Sequence, residues 1–329
     1  MAATDPLAQL TDGAAVWSAD ERARLAVTGA DARAFLHRLS TNHVGDLAAG
    51  QGRLNALVTD KGRVVDLVHH LDRGDAGVLL VGSAGRGPTL LAWLDRFLFS
   101  EKVELADGSE HGSCAEVAGA RAPDVAERIV SGAGALAPWA FVERGGRLLV
   151  RGFDRVDAKG TRVSSYLLVD LERTGVVEAL VAAGAARLEP DDAEALRVAA
   201  GVPGDTGELT DAFNPLELAL HDAVHWAKGC YIGQEVIARL DSYAKVGRKL
   251  VGLVLDDAAR AHLTPGAPVR VDGALVGVVT SVSPRHNGAL PSALAAIAVG
   301  AQGAVEVQAA ERTFASEAVA RSAAQAPHS

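Results

Sequence analysis

The stretch KGCYIGQE, residues 228–235, places Cys230 two positions after Lys228 and just ahead of a helical pattern formed by Val236, Ile237 and Leu240. A thiol acts as a nucleophile or metal ligand only as the thiolate, which a helix N-terminus and a neighbouring ammonium both favour. A helix end alone contributes about 0.3–1 kcal/mol, less than the roughly 1.36 kcal/mol of one pKa unit, so Lys228 has to assist Cys230 for the thiolate to prevail. The same stretch also describes an inert cysteine packed at a turn between Gly229 and Gly233, as unpaired cysteines commonly are.

Other candidate chemistries are poorer. Gly82, Gly87 and Thr89 follow a strand in the manner of a phosphate loop, but Pro88 stands where that loop needs its lysine. His221 and His225 are four apart and would share one face of a helix, while His69 and His70 would point to opposite faces of a strand. Neither pair has a convincing third ligand, so no metal site is assigned. A Gly-x-Ser-x-Gly elbow is absent, which leaves a serine hydrolase without an anchor.

The elements that would position these residues follow from periodicity. Ala32, Phe35, Leu36 and Leu39 read as a helix, with Asp31 as its cap. RLNALVTDKGRVVDLVHHL reads as a β-hairpin turning at TDKG, with Asp66 in its second strand. Pro88 opens a helix whose apolar face is Leu90, Leu91, Leu94, Phe97 and Leu98. KVELAD and RLLVRG are strand candidates in a mixed region from about 101 to 150. DDAEALRVAA, 191–200, is a helix with acids in its first turn and Gly201 beyond its end, and NPLELAL and GQEVIARL read as two short helices. From Leu250 onward, valine-rich runs broken by glycine and proline read as a small antiparallel β-unit or barrel, followed by a frayed AAQAPHS tail.

The chain has 329 residues, 49% of them apolar and only 4% aromatic, enough for two or three packed units built on small-residue contacts. Its 32 basic and 41 acidic residues give a formal charge of -9, which disfavours direct nucleic-acid binding. A basic leader followed by an apolar segment is absent, as is an apolar run long enough to cross a membrane, so a cytoplasmic protein is expected. Two cysteines, Cys114 and Cys230, cannot supply a disulfide framework or a four-thiolate metal site.

KGCYIGQEVIARL resembles the signature of the YgfZ family, folate-binding relatives of the glycine-cleavage aminomethyltransferase, the T-protein. VTGADARAFLHRLSTNHVGDL, DKGRVVDLV, LRVAAGVPG, NPLELALHDAVHWAKG and VGVVTSVSP agree in order, from about residue 20 to 300. The cysteine motif is specific to YgfZ; the other pieces are shared with the transferase. The resemblance implies an α+β fold, a three-part ring of two intertwined α+β units and a C-terminal antiparallel β-barrel around a folate channel. On that reading residues 1–245 form the folate-binding region and 246–320 the barrel domain. The implied ligand is tetrahydrofolate or a derivative. Asp66 resembles the aspartate at the reactive edge of folate, although one aspartate stands where the transferase has a pair. Arg197 resembles the arginine that holds the folate tail, and its forked donors suit a carboxylate. Asn42 and Glu217 also fall on shared motifs, where turn capping explains them equally well. The GYTGE-like segment, whose glutamate recognises the pterin, has no good counterpart in VRGFDRVDAKGTRVSSYLLVD.

Three functions follow. The resemblance implies a folate-dependent accessory factor for iron–sulfur enzymes or cluster-assembly proteins, with Cys230 as the key residue and Lys228 beside it. One thiolate cannot hold a cluster, which usually takes about four protein ligands, so its action would be transient or shared with a partner. The alternative is the aminomethyltransferase itself, with Asp66 assisting the folate nitrogen. A binding module without chemistry is the third. Any effect on transfer-RNA modification is expected to run through an iron–sulfur modifying enzyme, without direct contact to nucleic acid and without a membrane.

Overall fold

The computed structural model describes residues 5–242, 245–309 and 312–320; the AAQAPHS tail lies outside them. The fold is α+β with a closed C-terminal barrel. The chain begins one sheet, leaves it to build a second, and then returns. Ala15–Ser18 belongs to a six-stranded sheet whose order continues through Ser113–Ala118, Ser165–Asp170, Arg147–Arg151 and Phe141–Arg144, with Ala186–Arg187 on the other edge. Between the first and second of those strands the chain forms a complete five-stranded antiparallel sheet, ordered Gly52–Val58, Val64–Asp72, Val78–Ala84, Arg22–Thr28 and Glu104–Asp107.

The two sheets face each other through a dry layer in which Leu71, Leu79 and Val81 of the five-stranded sheet meet Cys114, Leu148 and Val169 of the other. Each sheet carries helices on its outer side. Phe35, Leu36 and Leu39 of Ala32–Leu39 and Leu90 and Leu94 of Gly87–Asp95 cover the first. Val125 and Ala126 of Ala122–Ile129 and Leu180 of Val176–Ala182 cover the second. Both are amphipathic solutions to burying one apolar sheet face.

The hairpin at TDKG forms as the sequence implies, with Leu57 opposite Asp66. Three local expectations need correction. Asp31 stands at the helix start, but its carboxylate accepts from the Lys102 backbone N–H at 2.8 Å instead of capping the helix. Gly87–Asp95 ends before Phe97 and Leu98, which still pack against the same core. NPLELAL is a series of turns; Asn214 Oδ1 accepts from the backbone N–H groups of Leu216 and Glu217, an Asx arrangement that competes with a helix.

The barrel closes in the order Arg248–Val254, Ala293–Ala298, Ala274–Val282, Pro268–Val271, Val305–Ala309 and Arg312–Ala320, the last pairing back to the first. Register shifts at Val269/Arg270 and Val279/Ser281 supply the bends that closure requires. Val251, Leu253, Val269 and Val307 fill its interior. Among the described residues no helix is long and apolar enough to cross a membrane.

His69 and His70 are both buried in Val64–Asp72, and burial pulls each imidazole down to about 3. Neither ring nitrogen of His70 has a hydrogen-bond partner. The unfolded chain therefore takes up two protons below about pH 6.5 that the native protein refuses. Stability is expected to fall as pH drops through that window, by up to about 1.4 kcal/mol per pH unit for each histidine. Replacing His70 by Gln should flatten the slope between about pH 6 and 5 by one histidine's share, as read by urea unfolding; an unchanged slope would assign those protons to other groups.

Candidate functional site

A narrow cleft lies where the two sheets and the loop after Pro190–Ala199 meet, with a cavity volume of about 40 Å³. Arg22, Leu54, Leu67, His69 and Ser83 come from the five-stranded sheet. Glu116, Ser165 and Leu167 come from the other, Phe153 and Arg155 from the connection between its strands, and Val202, Pro203 and Asp205 from the loop. The walls alternate apolar side chains with buried polar ones.

Glu116 is the polar centre. It is the single charged residue of Ser113–Ala118, and its Oε1 accepts from Arg155 Nη2 and, at 2.6 Å, from Ser165 Oγ. Arg155 also donates to Phe153 O at 3.1 Å and lies over the Trp17 ring. Its Nε has no partner, and burial, against the pull of Glu116, lowers its pKa. Arg22 donates to Gly82 O at 3.3 Å; its pKa is raised, with burial opposed by Asp205, Glu116, Cys114 and Asp66. Asp205 turns its own carboxylate to the Ala84 backbone N–H at 2.8 Å.

Asp66 sits one layer behind this wall. It is fully buried, and burial raises its carboxyl pKa despite bonds from Ser83 Oγ at 2.5 Å, Ser83 N at 3.1 Å and Leu67 N at 2.8 Å. Ser83, not Asp66, lines the cleft. The carboxylate fits because residue 82 is glycine: a Cβ there would stand 2.6 Å from Asp66 Oδ2 and 2.9 Å from Leu90.

Arg197 is the knot of another buried network. It donates to Glu194 at 2.7 and 2.5 Å, to Val202 O at 2.6 Å and to Ser281 Oγ at 2.9 Å, with Glu208 at 3.4 Å. The arginine thus ties its helix to the cleft loop and to the barrel strand Ala274–Val282. Burial works against these acids, yet its pKa is raised.

Cys230 is exposed, away from the cleft lining, whereas Cys114 is buried between the sheets with its thiol pushed up to about 12. The expected partnership of Lys228 with the thiol is corrected by the geometry. Lys228 Nζ points inward and donates to the carbonyls of His37, Ser40 and Asn42 at 2.6, 2.6 and 2.7 Å, with the Tyr231 ring 5.1 Å away. Burial lowers its pKa to about 8. The helix Gln234–Ser242 begins four residues after the cysteine. Its approach is set by Gly233, whose φ of +79° and 2.5 Å clearance to Thr59 O admit only glycine. The thiol therefore crowns a loop pinned at Lys228 and at Gly233.

The remaining sequence candidates are structural. Asn42 Nδ2 donates to Leu54 O and Asp222 O, both at 2.8 Å. Glu217 accepts from Asn214 N at 3.0 Å and Arg248 at 3.0 Å. His221 lies in a 3-10 turn, and the ring beside His225 is that of His43, at 5.2 Å between centroids. At Gly87 an added Cβ would run into the Asp107 carboxylate. Sequence reasoning missed Arg22, Ser83, Glu116, Arg155 and Ser165. The one available signal was a lone acid in an otherwise small and apolar strand, which demands a buried cation.

Residues 3–143 match the GCVT N-terminal domain, and residues 248–323 the glycine cleavage T-protein C-terminal barrel domain. A putative chloroplastic transferase of Arabidopsis thaliana is 31% identical over 273 residues, covering 80% of this chain, which spans 61% of that protein. An aminomethyltransferase of Rubrobacter xylanophilus is 30% identical over 273 residues, covering 82% of this chain and 72% of its own. The crystal structure of the glycine cleavage system aminomethyltransferase T from Bartonella henselae superimposes with a TM-score of 0.77 at 19% identity, over 97% of this chain and 88% of that one. With the two domain matches and these relatives, the chain belongs to the glycine cleavage T-protein family.

Proposed function

We propose that this protein is a tetrahydrofolate-binding accessory factor of the YgfZ type, acting in the cytoplasm to support assembly, repair or maintenance of iron–sulfur enzymes, transfer-RNA-modifying ones included. The observation that carries this reading is the presentation of Cys230: exposed, outside the cleft, on a loop fixed at both ends. A thiol so placed reaches a protein partner without disturbing a ligand in the cleft. Domain limits of 1–245 for the folate-binding region and 246–320 for the barrel belong to the same proposal.

What supports a folate is the chemistry of the residues lining the cleft. Leu54, Leu167 and Phe153 offer apolar faces to a flat ring, and Glu116, Arg22 and Ser83 offer polar contacts at its edge. Asp66 acts through Ser83, fixing the hydroxyl at the cleft wall. Arg197 receives the folate tail by exchanging Glu194, whose side chain is 41% exposed and the most accessible of its acids. Lys228 positions the Cys230 loop. When bound, folate supplies a carrier for one-carbon units; the residues named here bind and orient it.

The second reading, aminomethyl transfer, is favoured by the names of the relatives. Production of methylene-tetrahydrofolate from an aminomethyl-lipoyl carrier at an enzymatic rate would establish it over the first.

Two measurements follow. Native protein should offer one thiol per chain to a disulfide reagent, Cys230, and the second, Cys114, only after unfolding; two reactive thiols in the native state would contradict the buried assignment. In cells lacking the gene, iron–sulfur enzyme activity should be reduced and restored by the wild-type copy but not by Cys230→Ala. Full restoration by Cys230→Ala would remove the thiol from the function.

A further inference from the structure

Along the barrel strand Arg248–Val254 the side chains divide between two environments. Arg248 pairs with Glu217, and Leu250 packs into a core it shares with Leu54 and Leu216, so these two face the rest of the chain. Val251 and Leu253 belong to the interior of the barrel. Because side chains alternate along a strand, Lys249 falls on that same inward face. It stands at the open end of the barrel, opposite Ile297 on the neighbouring strand. There Lys249, Val251, Val271, Ile297 and Val305, with the loop at 301–304, surround a cavity of about 390 Å³. That volume lies within the range of small-molecule sites, which recur at the mouths of β-barrels. The cleft between the sheets, by comparison, holds about 40 Å³.

The charge at this mouth is one-sided. Glu317 reaches the rim, but Phe314 and Ala318 pack against the barrel core, and alternation turns Glu317 to the outer face. The Asp272 carboxylate is spent on the loop, where it accepts from the Ala304 backbone N–H at 3.2 Å and fills the space a Cβ at residue 303 would need. Ser316 Oγ donates to Val254 O at 3.2 Å, and Gln302 adds a neutral amide. Lys249 is exposed at the rim, and among the described residues its ammonium has no hydrogen-bond or ion-pair partner.

We propose that the open end of the barrel is a second ligand site, which takes a small amphipathic monocarboxylate, its apolar body against Val251, Val271, Ile297 and Val305 and its carboxylate on Lys249. The inference goes beyond the folate reading and stands apart from it, since the mouth and the cleft share no lining residue. An apolar body gains by leaving water for this wall, and the ammonium fixes which end stays outside. A phosphate ester would bring a second negative charge, for which the lining offers no second cation. An amine would meet Lys249 as like charge, so the mouth selects against both.

The test titrates the full chain with 4-phenylbutyrate and with 4-phenylbutanol, the same apolar body with and without the charge, by calorimetry and by methyl NMR. Wild type should bind the acid about 5- to 10-fold more tightly than the alcohol, between the effect of an exposed ion pair and that of a hydrogen bond to a charged group. Methyl resonances of Val251, Val271 and Ile297 should shift, while those of Leu54 and Leu167 in the cleft stay in place. Lys249→Gln should remove the advantage of the acid and leave the alcohol unchanged. Equal binding of acid and alcohol by wild type, or an undiminished advantage in Lys249→Gln, overturns the selection of a carboxylate by Lys249. Shifts confined to the cleft methyls, or no saturable binding of either probe, overturn the site itself.

Discussion

Charge buried between two sheets sets the terms for the rest of this molecule. Glu116, Arg155 and Arg22 come from three separate stretches of chain, and each lines the same cleft. A buried ion pair adds little net stability over an apolar pair, but removal of one partner costs about 3–5 kcal/mol because the other is left uncompensated. Glu116 and Arg155 both belong to the six-stranded unit, so the pair fixes that unit's wall of the cleft, while Arg22 of the other sheet approaches Glu116 at 3.9 Å. A second network does the same for the barrel, where Arg197 and Ser281 meet at the fully buried Glu208. The cleft persists because its walls are polar at the points where collapse would otherwise fill it.

Interleaving of the chain reinforces that constraint. Ala15–Ser18 enters the six-stranded sheet before the five-stranded one exists in sequence, so residues 22–107 are an insertion between neighbouring strands of the same sheet. The inserted sheet is thereby tethered to the other at both of its ends, by the short connections after Ser18 and before Ser113. The low aromatic content suits this arrangement: Ala15, Ala115, Ala118, Cys114 and Val169 let the strands and their covering helices approach closely.

Local periodicity made the hairpin, the helix over Ala32–Leu39 and the valine-rich barrel legible, because their apolar faces are set by nearest neighbours. What it could not show was which face of a strand meets the cleft. Asp66 was readable as a strand residue, yet its carboxylate lies behind Ser83, a placement fixed by Gly82 on the adjacent strand. Lys228 was readable as a neighbour of Cys230 in sequence, but three carbonyls from the turn at 37–42 draw its ammonium the other way. Glu116 and Arg155 are 39 residues apart, and a contact at that separation leaves no periodic trace. The NPLELAL turns show local chemistry overriding pattern: a buried Asn214 side chain captured the N–H groups a helix would have used.

Cleft and thiol, though separate, share a mechanical frame. Leu54 lines the cleft, and its carbonyl holds Asn42 Nδ2 at 2.8 Å. The carbonyl of Asn42 in turn accepts from Lys228 Nζ at 2.7 Å, two residues from Cys230. Such a chain of satisfied buried bonds rigidifies; transmission of a ligand signal would require an element with two discrete arrangements. Along this path Lys228 is bonded to three carbonyls and Gly233 packs against Thr59. Buried bonds thus run without a break from the cleft wall to the loop that carries the thiol.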